Sequence, residues 1–151
     1  MTPHQLHPSS PLAMCAAIRH SRKTLCRRLD DTCAQPDDGF THAFGATVAA
    51  VEAVFRHEEL IMETLGYERL HEHREENAVI LAALHRVMPQ VEGGDCALGR
   101  QVATALRDVI SLHRLSTDLA LAGAPHTSRQ RAHGHAARTT LHVPNQRRHV
   151  H

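Results

Sequence analysis

Aromatic residues are scarce in this chain of 151 residues: tryptophan is absent, Tyr67 is the single tyrosine, and phenylalanine occurs three times. A β-sheet core draws on aromatic and β-branched side chains, so this shortage argues against a sheet. Alanine, leucine, arginine and glutamate are common instead, and they favour helices. We therefore expect an all-α protein, and at this length one domain with one apolar core.

A large net charge is also lacking, because 17 basic residues face 16 acidic ones. The charge is unevenly distributed, since residues 124–151 contain five arginines and no acidic residue. Without that segment, 12 basic residues remain against 16 acidic ones. An acidic body does not favour binding to nucleic acid, and we predict no such partner.

The chain has no cationic stretch followed by a long apolar run near its first residue. We therefore predict no secretion signal, no membrane partner and a cytoplasmic location. The four cysteines should then be reduced thiols. No nucleophile beside a base, phosphate-binding loop or cofactor fingerprint stands out, so we do not predict an enzyme.

Four segments carry apolar residues at helical spacing, which predicts helices over residues 11–34, 40–65, 68–88 and 96–121. Amphipathic helices joined by short loops can bury their apolar stripes only against one another, which makes neighbours antiparallel. We therefore predict an up-down-up-down four-helix bundle over residues 11–123. A flexible segment, 1–10, should precede it, and a disordered tail rich in histidine and arginine, 124–151, should follow it.

Proline, glycine and serine mark the predicted helix ends. Ser9 or Ser10, ahead of Pro11, should start the first helix. The cluster at residues 36–39 predicts a turn before the second helix, which should end at Gly66. Pro89 should end the third helix, because proline removes a helical hydrogen bond.

Polar side chains interrupt the apolar stripes of all four predicted helices. Helical spacing places on the inner faces Arg22, Glu58, His73, Asn77, His113 and Asp118. A buried charge without a partner costs several kcal/mol, so these side chains should face one another. Carboxylates and imidazoles that meet inside a bundle are typical of a metal site, and a polar network without metal is the alternative.

The pattern resembles the hemerythrin family. That family's second helix reads His-Phe-x-x-Glu-Glu-x-x-Met, then Gly-Tyr, and a His-x-x-x-His helix and a final His-x-x-x-x-Asp follow. This chain carries the corresponding residues at 54–62, Gly66 and Tyr67, 73–77 and 113–118. The resemblance implies a cation-binding four-helix domain that holds iron and binds oxygen or another small diatomic ligand.

The resemblance also implies a diiron site with two bridging carboxylates, three histidines on the first metal and two on the second. Glu58 and Asp118 match the bridging carboxylates, and His73 and His113 match two histidines of the first metal. Asn77 stands where the third histidine of that metal is expected. The first metal therefore keeps most of its ligands.

The second metal has lost both of its own ligands, because Val54 and Arg22 stand at the two histidine positions. His57 is a candidate substitute, although it lies about 60° around the helix from Val54. A guanidinium is always protonated and binds carboxylates through two hydrogen bonds, so Arg22 could replace the second metal. Alternatively, Arg22 extends into solvent.

These observations predict a hemerythrin-like metal-binding protein with a degenerate, mononuclear site. The metal would be one iron ion, with manganese or no metal as alternatives. The protein would bind or sense oxygen or another small diatomic ligand, or handle the metal itself. The alternative is a metal-free four-helix module that acts through a protein partner or in regulation.

Overall fold

The computed structural model describes the backbone of residues 10–123 and the side chains as far as residue 112. It contains four helices and, within those residues, no strand; the helices are α1 (Pro11–Cys33), α2 (Asp37–Thr64), α3 (Leu70–Glu92) and α4 (Cys96–Gly123). The flexible segment and the disordered tail predicted at the two ends lie outside the described residues, apart from Ser10. None of the described helices is long and apolar enough to cross a membrane.

Each helix packs against the next one in the chain, and α1 also packs against α4, so the four helices form a closed ring. α1 and α2 are antiparallel, because Thr32 near the end of α1 bonds Thr47, whereas Arg22, earlier in α1, bonds Glu58, later in α2. Connections of three to five residues leave no room for any other arrangement. The predicted up-down-up-down bundle is confirmed.

The predicted start of α1 and the predicted end of α2 are both present. Ser10 Oγ accepts a hydrogen bond of 3.2 Å from the backbone N–H of Ala13, and Pro11 occupies the first helical position. Gly66 ends α2 with a φ of 65°, which L-residues with a side chain rarely adopt. The N–H of Tyr67 then donates to the carbonyl of Met62 over 2.9 Å, which completes a Schellman motif.

The predicted turn at residues 36–39 is wrong from Asp37 onward, because α2 already begins there. Pro36 precedes the helix, and Asp37 and Asp38 lie in its first turn, where carboxylates interact favourably with the positive end of the helix dipole. Proline and aspartate are common both in turns and in first helical turns. Composition alone therefore did not distinguish the two.

The predicted end of α3 at Pro89 is also wrong, since the helix continues to Glu92. Pro89 is exposed, so the carbonyl that loses its helical hydrogen bond lies on the solvent side. Two residues later Val91 is completely buried, and its packing stabilises the added turn. Gly94, with a φ of 103°, ends the helix instead.

The apolar core has two parts. A large cluster includes Leu25, Leu29, Phe40, Phe44, Val48, Val51, Phe55, Leu84, Val91, Leu106 and Ile110. A small cluster near the end of the bundle contains Ile18, Ile61 and Met62. All four cysteines lie among the described residues, and no disulfide joins them there.

Candidate metal centre

A layer of polar side chains lies between the two apolar clusters. It consists of Arg22, Glu58, His73 and Asn77, all of them buried, and we call these four residues the polar layer. Helical spacing accounts for their positions: Arg22 follows Ile18 by one turn, and the other three also continue buried faces. The prediction from helical spacing that these four polar residues face inward is confirmed.

Arg22 and Glu58 form a bidentate ion pair between α1 and α2. Arg22 Nε donates to Glu58 Oε1 over 2.7 Å, and Arg22 Nη2 donates to Glu58 Oε2 over 3.0 Å. The side chains are only 5% and 1% exposed, so water screens the pair weakly. The alternative in which Arg22 extends into solvent is therefore wrong.

Glu58 is held in its ionised form. Burial by itself would raise the pKa of this carboxyl, because a charge is poorly solvated inside the bundle. The neighbouring His73 and Arg22 more than offset that effect, so the pKa of Glu58 lies below its ordinary value. The polar layer therefore contains a fixed negative charge on α2 and a fixed positive charge on α1.

His73 places an unpartnered nitrogen in the same layer. Its Nε2 atom lies 3.6 Å from Glu58 Oε2, beyond hydrogen-bond length. This buried atom has no hydrogen-bond partner in the part of the chain whose side chains are described. Leaving a buried polar atom without a partner costs about 1–3 kcal/mol, which marks Nε2 as a candidate ligand atom.

Asn77 is hydrogen-bonded to α2. Its Nδ2 atom donates to Glu59 Oε1 over 2.8 Å. Arg74 Nε lies 3.7 Å from the other carboxylate oxygen of Glu59. Helical spacing did not point to Glu59 as an inner residue. The signal that could have found it is Asn77, because a buried amide needs a hydrogen-bond acceptor on the facing helix.

A cavity of about 10 Å³ lies beside the polar layer. Its lining consists of Arg22, Leu25, Phe55, His73, Asn77, Ile80, Val109 and Ile110. That volume is close to the least that accommodates one water molecule. Any group that entered beside His73 without moving the helices would therefore have to be very small.

Of the remaining predicted ligands, His57 has a described side chain and His113 and Asp118 do not. His57 is exposed on α2. His113 and Asp118 belong to α4, which is described as a helix over their positions, but their side chains lie outside the described residues. Among the side chains that are described, no group of three or more histidine, cysteine, aspartate and glutamate residues lies together as a metal would need.

The described residues do not fit a site for two metal ions. Val54 has no ligand atom, Arg22 is a cation, and the amide nitrogen of Asn77 is bonded to Glu59. The described side chains bring two possible ligand atoms close together there, His73 Nε2 and Glu58 Oε2.

Comparison with known proteins supports the resemblance to hemerythrins that the residue pattern indicated. A bacteriohemerythrin of Ralstonia nicotianae is 31% identical to this chain over 98 residues, which are 65% of this chain and 72% of that relative. No family model matches the chain, and no solved structure gives a significant match. The identity, its coverage and the four-helix fold together show that the chain belongs to the hemerythrin-like family.

Proposed function

We propose that this protein binds one metal ion beside His73 and Glu58 and uses it to bind or sense a small diatomic ligand. The observation that carries the proposal is the buried Nε2 atom of His73, which has no hydrogen-bond partner among the described residues and faces a carboxylate. His113 and Asp118 on α4 would complete the ligand set. Two imidazoles with carboxylate oxygens are typical of mononuclear iron and manganese sites.

Iron is the metal that the family likeness favours, because the matched relative is a bacteriohemerythrin. A bound iron or manganese ion would supply an open coordination position for oxygen or another small diatomic ligand. Of the other two predicted ligands, His57 is exposed and Asn77 is bonded to Glu59, so both would contribute less. We propose binding rather than catalysis, since the side chains described in this layer pair no nucleophile with a base.

A metal-free module for interaction or regulation is the second candidate function. The observation in its favour is that Arg22 donates to both oxygens of Glu58, so the carboxylate is neutralised without any metal. The polar layer would then serve to fix how the four helices pack, as buried polar groups do in some helical assemblies.

Elemental analysis of untagged, full-length protein separates the two functions. We expect about one iron or manganese ion per chain in the wild type, and a loss of that ion in His73→Ala, because the variant removes a ligand atom. Six histidines of the tail could bind metal loosely, but they are the same in both proteins and cancel in the difference.

His71→Ala is the matched control, because His71 lies on the same helix, is 85% exposed and pairs with the exposed Glu75. It should keep the metal content of the wild type. Equal metal content in the wild type and His73→Ala would reject the proposed site, and absence of metal from the wild type would favour the metal-free module.

A further inference from the structure

We infer that Arg22 fixes the metal number of this centre: its guanidinium takes the place of a second cation beside Glu58, so the centre holds at most one metal ion. The inference deepens the proposed function, because it concerns the same site. It rests on the geometry of one ion pair and on the residues that surround it.

The fold fixes the position of Arg22, which is not a flexible surface residue. Its backbone lies one turn after Ile18 and one turn before Leu25 and Cys26 on the inner face of α1, and the residue is 4% exposed. A long side chain confined in this way loses most of its rotamers. The two hydrogen bonds to Glu58 then hold the guanidinium in one orientation.

The guanidinium occupies the space that a second metal would need. A metal ion binds a carboxylate oxygen at about 2.0–2.2 Å, inside the 2.7 and 3.0 Å at which Arg22 nitrogens contact the two oxygens of Glu58. Both could not approach Glu58 from the same side.

A lone pair of Glu58 remains for one ion. Each carboxylate oxygen has two lone pairs, so Oε2 can accept from Arg22 and still bind a metal. That oxygen faces the unpartnered Nε2 atom of His73 at 3.6 Å. Arg22 therefore bonds both oxygens of Glu58 and leaves a lone pair of Oε2, the oxygen near His73, for one ion.

The first test compares the response to manganese of Arg22→Gln and the wild type, both as full chains. The variant leaves Glu58 buried without its counter-charge, so metal-free Arg22→Gln should melt at a lower temperature than the wild type. Excess Mn²⁺ should then raise its Tm by at least about twice as much as it raises the Tm of the wild type, because binding to the folded state stabilises it.

Arg100→Gln is the matched control. Arg100 also makes several hydrogen bonds between helices, but it lies at the other end of the bundle against Cys33, Gln35 and Asp37. The control should lose Tm and keep the manganese response of the wild type. A response of Arg22→Gln no larger than that of the wild type would overturn the inference.

A second pair of variants tests whether Arg22 excludes a second metal ion if Arg22→Gln does not fold. Val54 lies one turn before Glu58 on α2, so a histidine at position 54 would stand next to that carboxylate. Val54→His alone keeps Arg22 and should bind no more metal than the wild type. Arg22→His combined with Val54→His should bind about one more ion per chain.

Equal metal content in the single and the double variant would contradict the inference. Its failure is distinguishable from failure of the proposed function, which depends on the metal content of the wild type and of His73→Ala. The inference depends only on differences that follow the removal of Arg22, and it is decided even if the wild type binds no metal.

Discussion

Arg22 and Glu58 lie 36 residues apart in the chain and form a bidentate ion pair across the α1 and α2 interface, with both side chains buried. The pair lies in the layer that separates the two apolar clusters of the core. It therefore affects the stability of the bundle, its dependence on pH and the number of ions that the centre can hold.

Removing one member of the pair should be worse than removing both. Arg22→Met or Glu58→Leu leaves one buried charge without its partner, which typically costs about 3–5 kcal/mol. The double variant replaces the pair by apolar side chains of similar size and should cost less than either single variant. Urea denaturation of the metal-free proteins provides the four free energies of unfolding, and simple additivity of the two single effects would contradict the prediction.

The stability of the metal-free protein should fall in acid because of Glu58. Its pKa in the folded state lies below the ordinary value of 4.5, so the ionised carboxylate stabilises the fold above that value. This contribution is lost as the pH falls through the pKa of the folded protein. Glu58→Gln should lack that part of the pH dependence, and parallel profiles of unfolding free energy for the two proteins would contradict the assignment.

Gly99 should tolerate no side chain. A Cβ atom at this position of α4 would lie 2.5 Å from Cε1 of Phe40 and 3.0 Å from Cγ2 of Val91, and both of these residues are completely buried. Gly99→Ala should therefore cost about 1–3 kcal/mol through overpacking. Gly45→Ala is the control, since its Cβ would meet only Met88 Cε at an ordinary 3.5 Å, and it should gain about 0.5–1 kcal/mol in thermal or urea unfolding.

Arg100 should stabilise the connection between α1 and α2. Its guanidinium donates to the carbonyls of Cys33 and Gln35 and to the Asp37 carboxylate, and it lies 4.6 Å from the ring centroid of Phe40. Arg100→Ala should cost about 1.5–3 kcal/mol, as loss of hydrogen bonds to a charged group does. Arg107→Ala, which removes a surface pair with Asp30, should cost much less in the same urea titration.

Helical spacing was enough to predict the bundle and to place Arg22, Glu58 and His73 on the inner faces, because a period of 3.6 residues fixes which side chains share a face. It was also enough to propose a contact between Arg22 and Glu58, because two opposite charges buried at the same depth stabilise each other. Such inferences depend only on the backbone.

Other features depend on contacts that spacing does not specify. The bond between Asn77 and Glu59 depends on which carboxylate lies beside the amide across the α2 and α3 interface. The continuation of α3 past Pro89 depends on the burial of Val91 by residues of other helices. Tertiary packing decided both, and local sequence rules do not contain it.

An anomalous-scattering map at the iron absorption edge, from crystals of the iron-loaded full-length protein, tests the central claim most directly. We expect one peak per chain, within coordination distance of His73 Nε2 and Glu58 Oε2, with Arg22 still bonded to Glu58. Two peaks per chain, or one peak on the side of Arg22, would contradict it.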